Sequence, residues 1–147
     1  MQSIQQAPRQ PVDASIDETN GTRSETGPSG ELYSKQPIVD SAAIAWTEHP
    51  RFRAIGMKAL LTSADNPLAG VNVVQVPPDG VIGRHLHVKE IETVYVLAGQ
   101  SVLTLGHTDY PFAAGQVVAI PAGLEHALRN TGAETVELLC IFTPPLI

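Results

Sequence analysis

The chain has 147 residues, a length that suits a single domain, and 43% of them are hydrophobic, which is enough for one core. The net charge is −6 and the basic residues are scattered, so the sequence favours neither nucleic acid nor an acidic membrane surface as a partner. The single cysteine, Cys140, excludes an internal disulfide. The sequence has no apolar run of the roughly 18 residues that a membrane span needs, and its first residues lack a secretory apolar stretch. We therefore expect a cytoplasmic protein.

The first part of the chain differs in composition from the rest. Residues 1–34 are rich in Gln, Ser, Thr, Pro and Gly and contain few large apolar side chains. A segment of this kind buries too little apolar surface to offset the entropy that it loses on ordering. The sequence therefore predicts a flexible low-complexity tail over 1–34 and one folded domain over 35–147.

From residue 37 onward, short β-prone runs are separated by Pro, Gly, Asp and Asn. In chain order the runs are AIAW, AIGMKALLT, GVNVVQV, VIGRHLHV, ETVYVLAG, SVLTLG, QVVAIPAG, EHALRN and ETVELLCIF. They are rich in Val, Ile, Leu and Thr, and no segment keeps a helical period. Short, regularly spaced strands separated by turn-forming residues predict an all-β sandwich or barrel. Because side chains alternate along a strand, either Asn72, Val74 and Val76 face inward or the residues that alternate with them on the same strand do.

The first segment that contains candidate functional residues spans residues 80–99. Residues two apart on a strand share a face, so His85 and His87 are predicted to point the same way and to bind one metal ion. Glu92 follows a short connection, from which its carboxylate can reach the same ion. Glu90 is the alternative carboxylate, because the sequence does not give the geometry of the connection.

The second stretch runs from residue 115 to residue 130. A strand leads into Pro121 and Gly123, which predict a tight turn. His126 follows on the returning strand and is predicted to supply a third imidazole from across the barrel.

Together the two stretches resemble the paired signature motifs of the cupin superfamily. The first motif has the form HxH, four residues, Glu, six residues and Gly, which is matched by His85, His87, Glu92 and Gly99. The second motif is matched by Gly115, Pro121, Gly123, His126 and Asn130. One departure is that the family's leading glycine falls at Asp79 here, one residue before Gly80.

The resemblance implies a double-stranded β-helix, or jelly-roll barrel, with a metal bound by His85, His87, Glu92 and His126. Three imidazoles and one carboxylate suit a divalent transition metal ion: Fe, Mn, Ni, Zn, Co or Cu. The predicted cavity lining is apolar (Val94, Val96, Leu124 and Leu128), which favours a small, partly apolar organic molecule as the ligand or substrate.

Two functional hypotheses follow from this resemblance. The first is a metal-dependent enzyme of the dioxygenase, isomerase or lyase type, with Glu92 as the catalytic residue because a ligand carboxylate can leave the metal and act as a base. The alternative is a non-catalytic, metal-dependent module that binds or senses a small molecule, and a storage or structural barrel is less favoured. A small cupin also implies a homodimer, for which the apolar segments 38–46 and 138–147 are the predicted contacts.

Three further side chains with reactive groups are interpreted as structural. His49 and His107 lie in turn-like segments and are predicted to be exposed loop histidines. Cys140 lies in an apolar strand without a basic neighbour, so we expect it to pack in the core rather than act as a nucleophile.

Overall fold

The computed structural model describes residues 38–147, and the predicted tail over 1–34 lies outside them. Within the described part, no helix has the length and apolarity needed to cross a membrane. Its regular structure is a short 3₁₀ turn, Ser41–Ala43, and ten strands. The strands are β1 (Thr47–Glu48), β2 (Gly56–Leu61), β3 (Gly70–Val76), β4 (Val81–His85), β5 (Ile91–Ala98), β6 (Gln100–Leu105), β7 (Thr108–Ala113), β8 (Val117–Ile120), β9 (His126–Asn130) and β10 (Val136–Thr143).

The strands form two antiparallel sheets. One has six strands in the order β1-β2-β3-β10-β5-β8, and the other has four in the order β4-β9-β6-β7. Strands that are distant in sequence are neighbours in both sheets, as in the pairing of β10 with β3 and β5. This arrangement confirms the predicted all-β jelly-roll barrel.

The core lies between the two sheets and follows the alternation of side chains along each strand. On β3 the buried residues alternate with half-buried ones, and the inward set is Asn72, Val74 and Val76. On β5 the inward residues are Glu92, Val94 and Val96, whereas Tyr95 is exposed as the spacing predicts. The fully or nearly fully buried side chains of the core include Ile55, Ile120, Val136, Leu138 and Phe142.

Two strand predictions were wrong. The run AIAW is not a strand: residues 41–43 form the 3₁₀ turn, in which the Ala42 amide donates to the Asp40 carboxylate, and β1 starts only at Thr47. Conversely, no strand was predicted over β7, whose sequence, TDYPFA, contains Pro111. β7 is the outer strand of the four-stranded sheet, a position at which proline is tolerated because one side of the strand needs no partner.

The departure from the first cupin motif has a conformational explanation. Residues 77–80 form a turn closed by the Gly80 amide, which donates to the Pro77 carbonyl at 2.8 Å. Asp79, at the position of the usual glycine, adopts a φ of 60°, a conformation that aspartate tolerates better than most residues. Gly80 is needed for a different reason, because a Cβ atom there would lie 2.7 Å from the Pro77 carbonyl oxygen.

Candidate metal centre

The four predicted ligands come together at one end of the barrel interior. His85 is the last residue of β4 and His126 the first of β9, and the two are direct partners in the register of these strands. His87 lies in the connection after β4, and Glu92 is the second residue of β5. One potential ligand atom from each of these four side chains lies within 4.8 Å of the others. The distribution over two sheets explains why only the folded barrel assembles the cluster.

The carboxylate of the cluster belongs to Glu92 and not to Glu90. Glu92 Oε2 lies 3.1 Å from His126 Nε2 and 3.2 Å from His87 Nε2. The Glu90 carboxylate instead accepts a hydrogen bond from the neighbouring Lys89 amide. The alternation along β5 turns Glu92 toward the interior, where it is buried.

Backbone carbonyls orient two of the imidazoles. His85 Nδ1 lies 2.8 Å from the Gly83 carbonyl oxygen, and His126 Nδ1 lies 2.9 Å from the Leu124 carbonyl oxygen. When Nδ1 carries the proton that it donates to these oxygens, the Nε2 atom is the one free to bind a metal. Both rings are thereby held with Nε2 directed at the cluster.

The buried Nε2 atom of His87 is a further feature of the donor set that fits a metal ion. His87 is 7% exposed, and its Nε2 atom has no aligned hydrogen bond within the described residues, although Glu92 lies nearby. A buried polar atom without a partner is rare in proteins, because it has lost its hydration. A divalent cation bound to Nε2 would satisfy this atom and the Glu92 carboxylate together.

Protonation in the cluster also favours cation binding. Burial lowers the pKa of His85 to about 4, so its ring is neutral at pH 7 and able to bind a metal. Burial acts to raise the pKa of Glu92, but the hydrogen bond with His126 and the nearby His87 ring outweigh it and lower this pKa to about 2. The cluster therefore offers an ionised carboxylate and a neutral imidazole without any change of pH.

We expect His126 to carry a proton that metal binding must displace. Burial acts to lower the pKa of His126, but the hydrogen bond with Glu92 outweighs it and raises this pKa above its usual value. We expect metal binding to release protons near pH 6.5 and progressively fewer as the pH rises, since metal ligands must be deprotonated. Calorimetric titration in two buffers of different ionisation enthalpy measures this number. Metal uptake near pH 6.5 without proton release would contradict the expectation.

An apolar cavity of about 110 Å³ adjoins the cluster. Val94, Leu128 and Ile82 line it from the strands, together with Leu138 and Phe142 of β10. Two of the predicted lining residues are elsewhere: Val96 is buried in the core and Leu124 packs against it, and neither lines the cavity. The predicted apolar character of the lining is thus correct, but not all of the predicted residues contribute to it.

The sequence did not indicate several residues of the cavity. His49, predicted as an exposed loop histidine, lines the cavity with Arg51 and Phe52 from the loop that follows β1, and its ring is 4.8 Å from that of Phe52. This was not predictable, because the position of that loop depends on tertiary packing. Asn72 was detectable, as the only polar residue on the inward face of a valine-rich strand.

Cys140 is buried at the cavity wall. Burial raises the pKa of its thiol well above the usual value, and the nearby Glu92 carboxylate raises it further. A thiol of this kind stays protonated at neutral pH, which agrees with the expectation that Cys140 is not a nucleophile.

Comparison with known proteins identifies the family. A family model described as a cupin domain matches residues 72–142. Protein SchB from Streptomyces halstedii is 36% identical over 102 residues, which cover 65% of this chain and 72% of that protein. The chain belongs to the cupin superfamily. The resemblance that the two motifs indicated is therefore confirmed.

Two relatives of this cupin come from Thermotoga maritima. An oxalate-binding protein is 34% identical over 68 residues, which cover 46% of this cupin and only 56% of the relative's length. The crystal structure of a predicted oxalate decarboxylase superposes with a TM-score of 0.67 at 27% identity, covering 73% of this cupin and 98% of that chain. These names describe the relatives, and they suggest small-molecule binding as a function to test here.

Proposed function

We propose that this cupin binds one divalent transition metal ion through His85, His87, Glu92 and His126 and uses it to act on a small, partly apolar organic molecule. The observation that carries the proposal is the convergence of these four side chains beside an apolar cavity. Four protein ligands leave two positions of an octahedral ion for a ligand. The metal, once bound, would supply Lewis-acid or redox chemistry at those positions.

The size and lining of the cavity narrow the class of molecule. The volume of about 110 Å³ is below the ~150 Å³ of an apolar cavity that accommodates benzene, so a ligand of about six heavy atoms or fewer is expected. Arg51 is the one cationic side chain among the described lining residues apart from the histidines, and it lies at the exposed rim. A small oxygen chelator with a carboxylate fits these features.

We propose that Glu92 is primarily a metal ligand and that its catalytic role is secondary. Its lowered pKa keeps the carboxylate ionised, which suits a ligand, and the same property makes it a weak base where it lies. A catalytic role for Glu92 in dioxygenase-, isomerase- or lyase-type chemistry therefore requires that the carboxylate first leave the ion.

A second candidate function is a binding module without catalysis, and the relative named as an oxalate-binding protein favours it. One experiment separates the two. Protein purified without chelator is assayed for bound metals, reloaded with the ion that is found, and then incubated with oxalate while binding and turnover are followed in parallel. Turnover supports the enzyme, whereas saturable binding without turnover supports the module. Less than about 0.1 ion per chain after reloading would contradict the metal centre itself.

We also propose that the protein is a homodimer, through a different surface from the one that the sequence indicated. Residues 41–43 form a 3₁₀ turn and Leu146 and Ile147 line the cavity, so neither terminal segment presents a free strand. The outward face of β5 and β8 is instead apolar and exposed, with Ile91, Tyr95, Leu97 and Val117. Such a patch is typical of a protein interface, and a second copy offers the same patch across a two-fold axis.

Light scattering at micromolar concentration tests the dimer. We expect a mass of about twice the 15.6 kDa of one chain. Val117→Lys, at the most exposed of these four residues, should give a monomer because it would bury an unpaired charge in the interface. Val88→Lys is the matched control, since Val88 is 77% exposed in the loop before β5. A wild-type mass near 15.6 kDa would reject the dimer.

A further inference from the structure

Strand β4 contains an extra residue just before the candidate metal ligands. Ile82 pairs with Leu128 of β9. Were that register continued, His126 would pair with Arg84. The register shifts before the end of β4, however, and the residue that pairs with His126 is His85. Between these two pairs β4 advances three residues and β9 only two, which defines a β-bulge in β4.

The bulge changes the direction of the side chains that follow it. Residues three apart on a regular strand point to opposite faces of the sheet. Ile82 and His85 nevertheless both line the cavity, and Arg84 between them is exposed. Without the bulge, the alternation that turns Ile82 inward would turn Arg84 inward and His85 outward. The cluster of four candidate ligands therefore depends on this one irregularity of β4.

Arg84 makes its contacts on the outside of the barrel, where three segments meet. Its Nη1 atom donates to Glu125 Oε2 at 2.6 Å, and its Nη2 atom donates to the Gly106 carbonyl at 2.9 Å. The Gly106 amide in turn donates to the Glu125 carbonyl at 2.8 Å. Arg84 and Glu125 directly precede the two paired histidines, so the contact links the chain segments that carry these ligands.

The charge of Arg84 also opposes the regular register. A one-residue slip in strand pairing turns the side chains of the slipped segment to the other face. The guanidinium would then enter a mainly apolar interior and lose its bonds to Glu125 and Gly106. The one carboxylate among the described lining residues, Glu92, is already in contact with His126. Because burying a charge costs more than an exposed ion pair contributes, the bulged register is favoured.

We propose that Arg84 is a positioning residue for the metal centre, since its contacts outside the barrel hold the bulge that places His85 opposite His126. The inference rests on the proposed metal centre, which requires both imidazoles to face one point. Residues that support a metal ligand without touching the metal commonly change the affinity by about 10- to 100-fold. Arg84 acts through the backbone of β4, so we expect an effect near the lower end of this range.

Co²⁺ is a suitable probe, because it suits three imidazoles and one carboxylate and its visible spectrum changes with the geometry of its ligands. In Arg84→Met the new side chain can turn into the apolar interior, so Co²⁺ should bind about tenfold more weakly and with an altered spectrum. Arg84→Lys keeps a charge that must stay outside, and it should recover most of the affinity. Arg129→Met is the matched control and should bind like the wild type, since Arg129 is exposed on the same strand pair, opposite Val81.

Unfolding of the metal-free proteins in urea separates positioning from support of the fold. Arg84→Met should unfold at nearly the same urea concentration as the wild type, because a half-exposed ion pair contributes little to stability. A large fall in this midpoint together with weaker Co²⁺ binding would show a structural role and overturn the inference. Glu125→Met, the second variant, leaves the charge in place and should lose less affinity than Arg84→Met. A larger loss in Glu125→Met would contradict the role given to the Arg84 charge.

The outcomes also separate this inference from the proposed function. If the wild type binds Co²⁺ and Arg84→Met binds it with the same affinity and spectrum, the role of Arg84 is refuted and the metal centre stands. The role is likewise refuted if Arg129→Met loses as much affinity as Arg84→Met, since the effect would then not be specific to the bulge. If the wild type binds no Co²⁺, the proposed metal centre fails and the inference fails with it.

Discussion

Replacing His87 with alanine is expected to abolish metal binding and to leave the barrel folded. His87 lies in a connection and belongs to no strand pair, so its removal breaks no strand pairing and costs the core only the contact of its ring with Phe142. Loss of partners that only support a metal ligand costs about 10- to 100-fold in affinity, and loss of the ligand itself should cost more. Metal content after reloading and the circular dichroism spectrum measure the two properties.

His107→Ala is the matched control for this experiment, because His107 is exposed in the hairpin between β6 and β7. It should retain the metal content of the wild type. If His87→Ala loses its fold together with its metal, the ion is needed for folding and the site is structural. If it retains one tightly bound ion per chain, His87 is not a ligand.

Asn130→Ala is expected to cause a large loss of stability, about 3 kcal/mol, in the metal-free protein. The Asn130 amide links the end of β9 to the Val76 carbonyl at the end of β3 and to the turn before β10, through three hydrogen bonds. Alanine removes all three and leaves polar groups without partners in a site that is 1% exposed. Urea unfolding followed by fluorescence of the single tryptophan, Trp46, measures the change.

Asn66→Ala serves as the comparison. Asn66 makes one local hydrogen bond, from the Leu68 amide to its Oδ1 atom, in a loop. Its loss should cost no more than about 1 kcal/mol. Equal losses in the two variants would contradict the role assigned to Asn130 as the connection between the sheets.

Much of the candidate site was accessible from the sequence because the two motifs are local. Strand alternation and the spacing of the motifs indicated His85, His87, Glu92 and His126, and the structure places one atom from each within 4.8 Å of the others. The same alternation predicted that Val94 lines the cavity and that Tyr95 faces away from it. Predictions of this kind succeed because side-chain direction in a strand is set by the backbone itself.

Other features depend on contacts between distant segments. The choice of Glu92 over Glu90 by residue spacing agrees with the inward direction of Glu92, but the shape of the connection after β4 exists only in the folded chain. β7 was missed because a polar strand containing Pro111 is stable only at the edge of an existing sheet. The placement of His49 and Arg51 at the cavity likewise follows from how the loop after β1 packs.

By itself, the sequence determined the all-β barrel, the cupin family and the four residues proposed as metal ligands, since each of these is recorded in local periodicity and spacing. Tertiary structure alone decided which carbonyls orient His85 and His126, that Asn72 Oδ1 on β3 has no hydrogen-bond partner within the described residues, and that the outward face of β5 and β8 is exposed there. The physical reason is that burial and hydrogen-bond partners belong to the packed chain. A residue acquires them only when strands that are far apart in sequence become neighbours in the sheets.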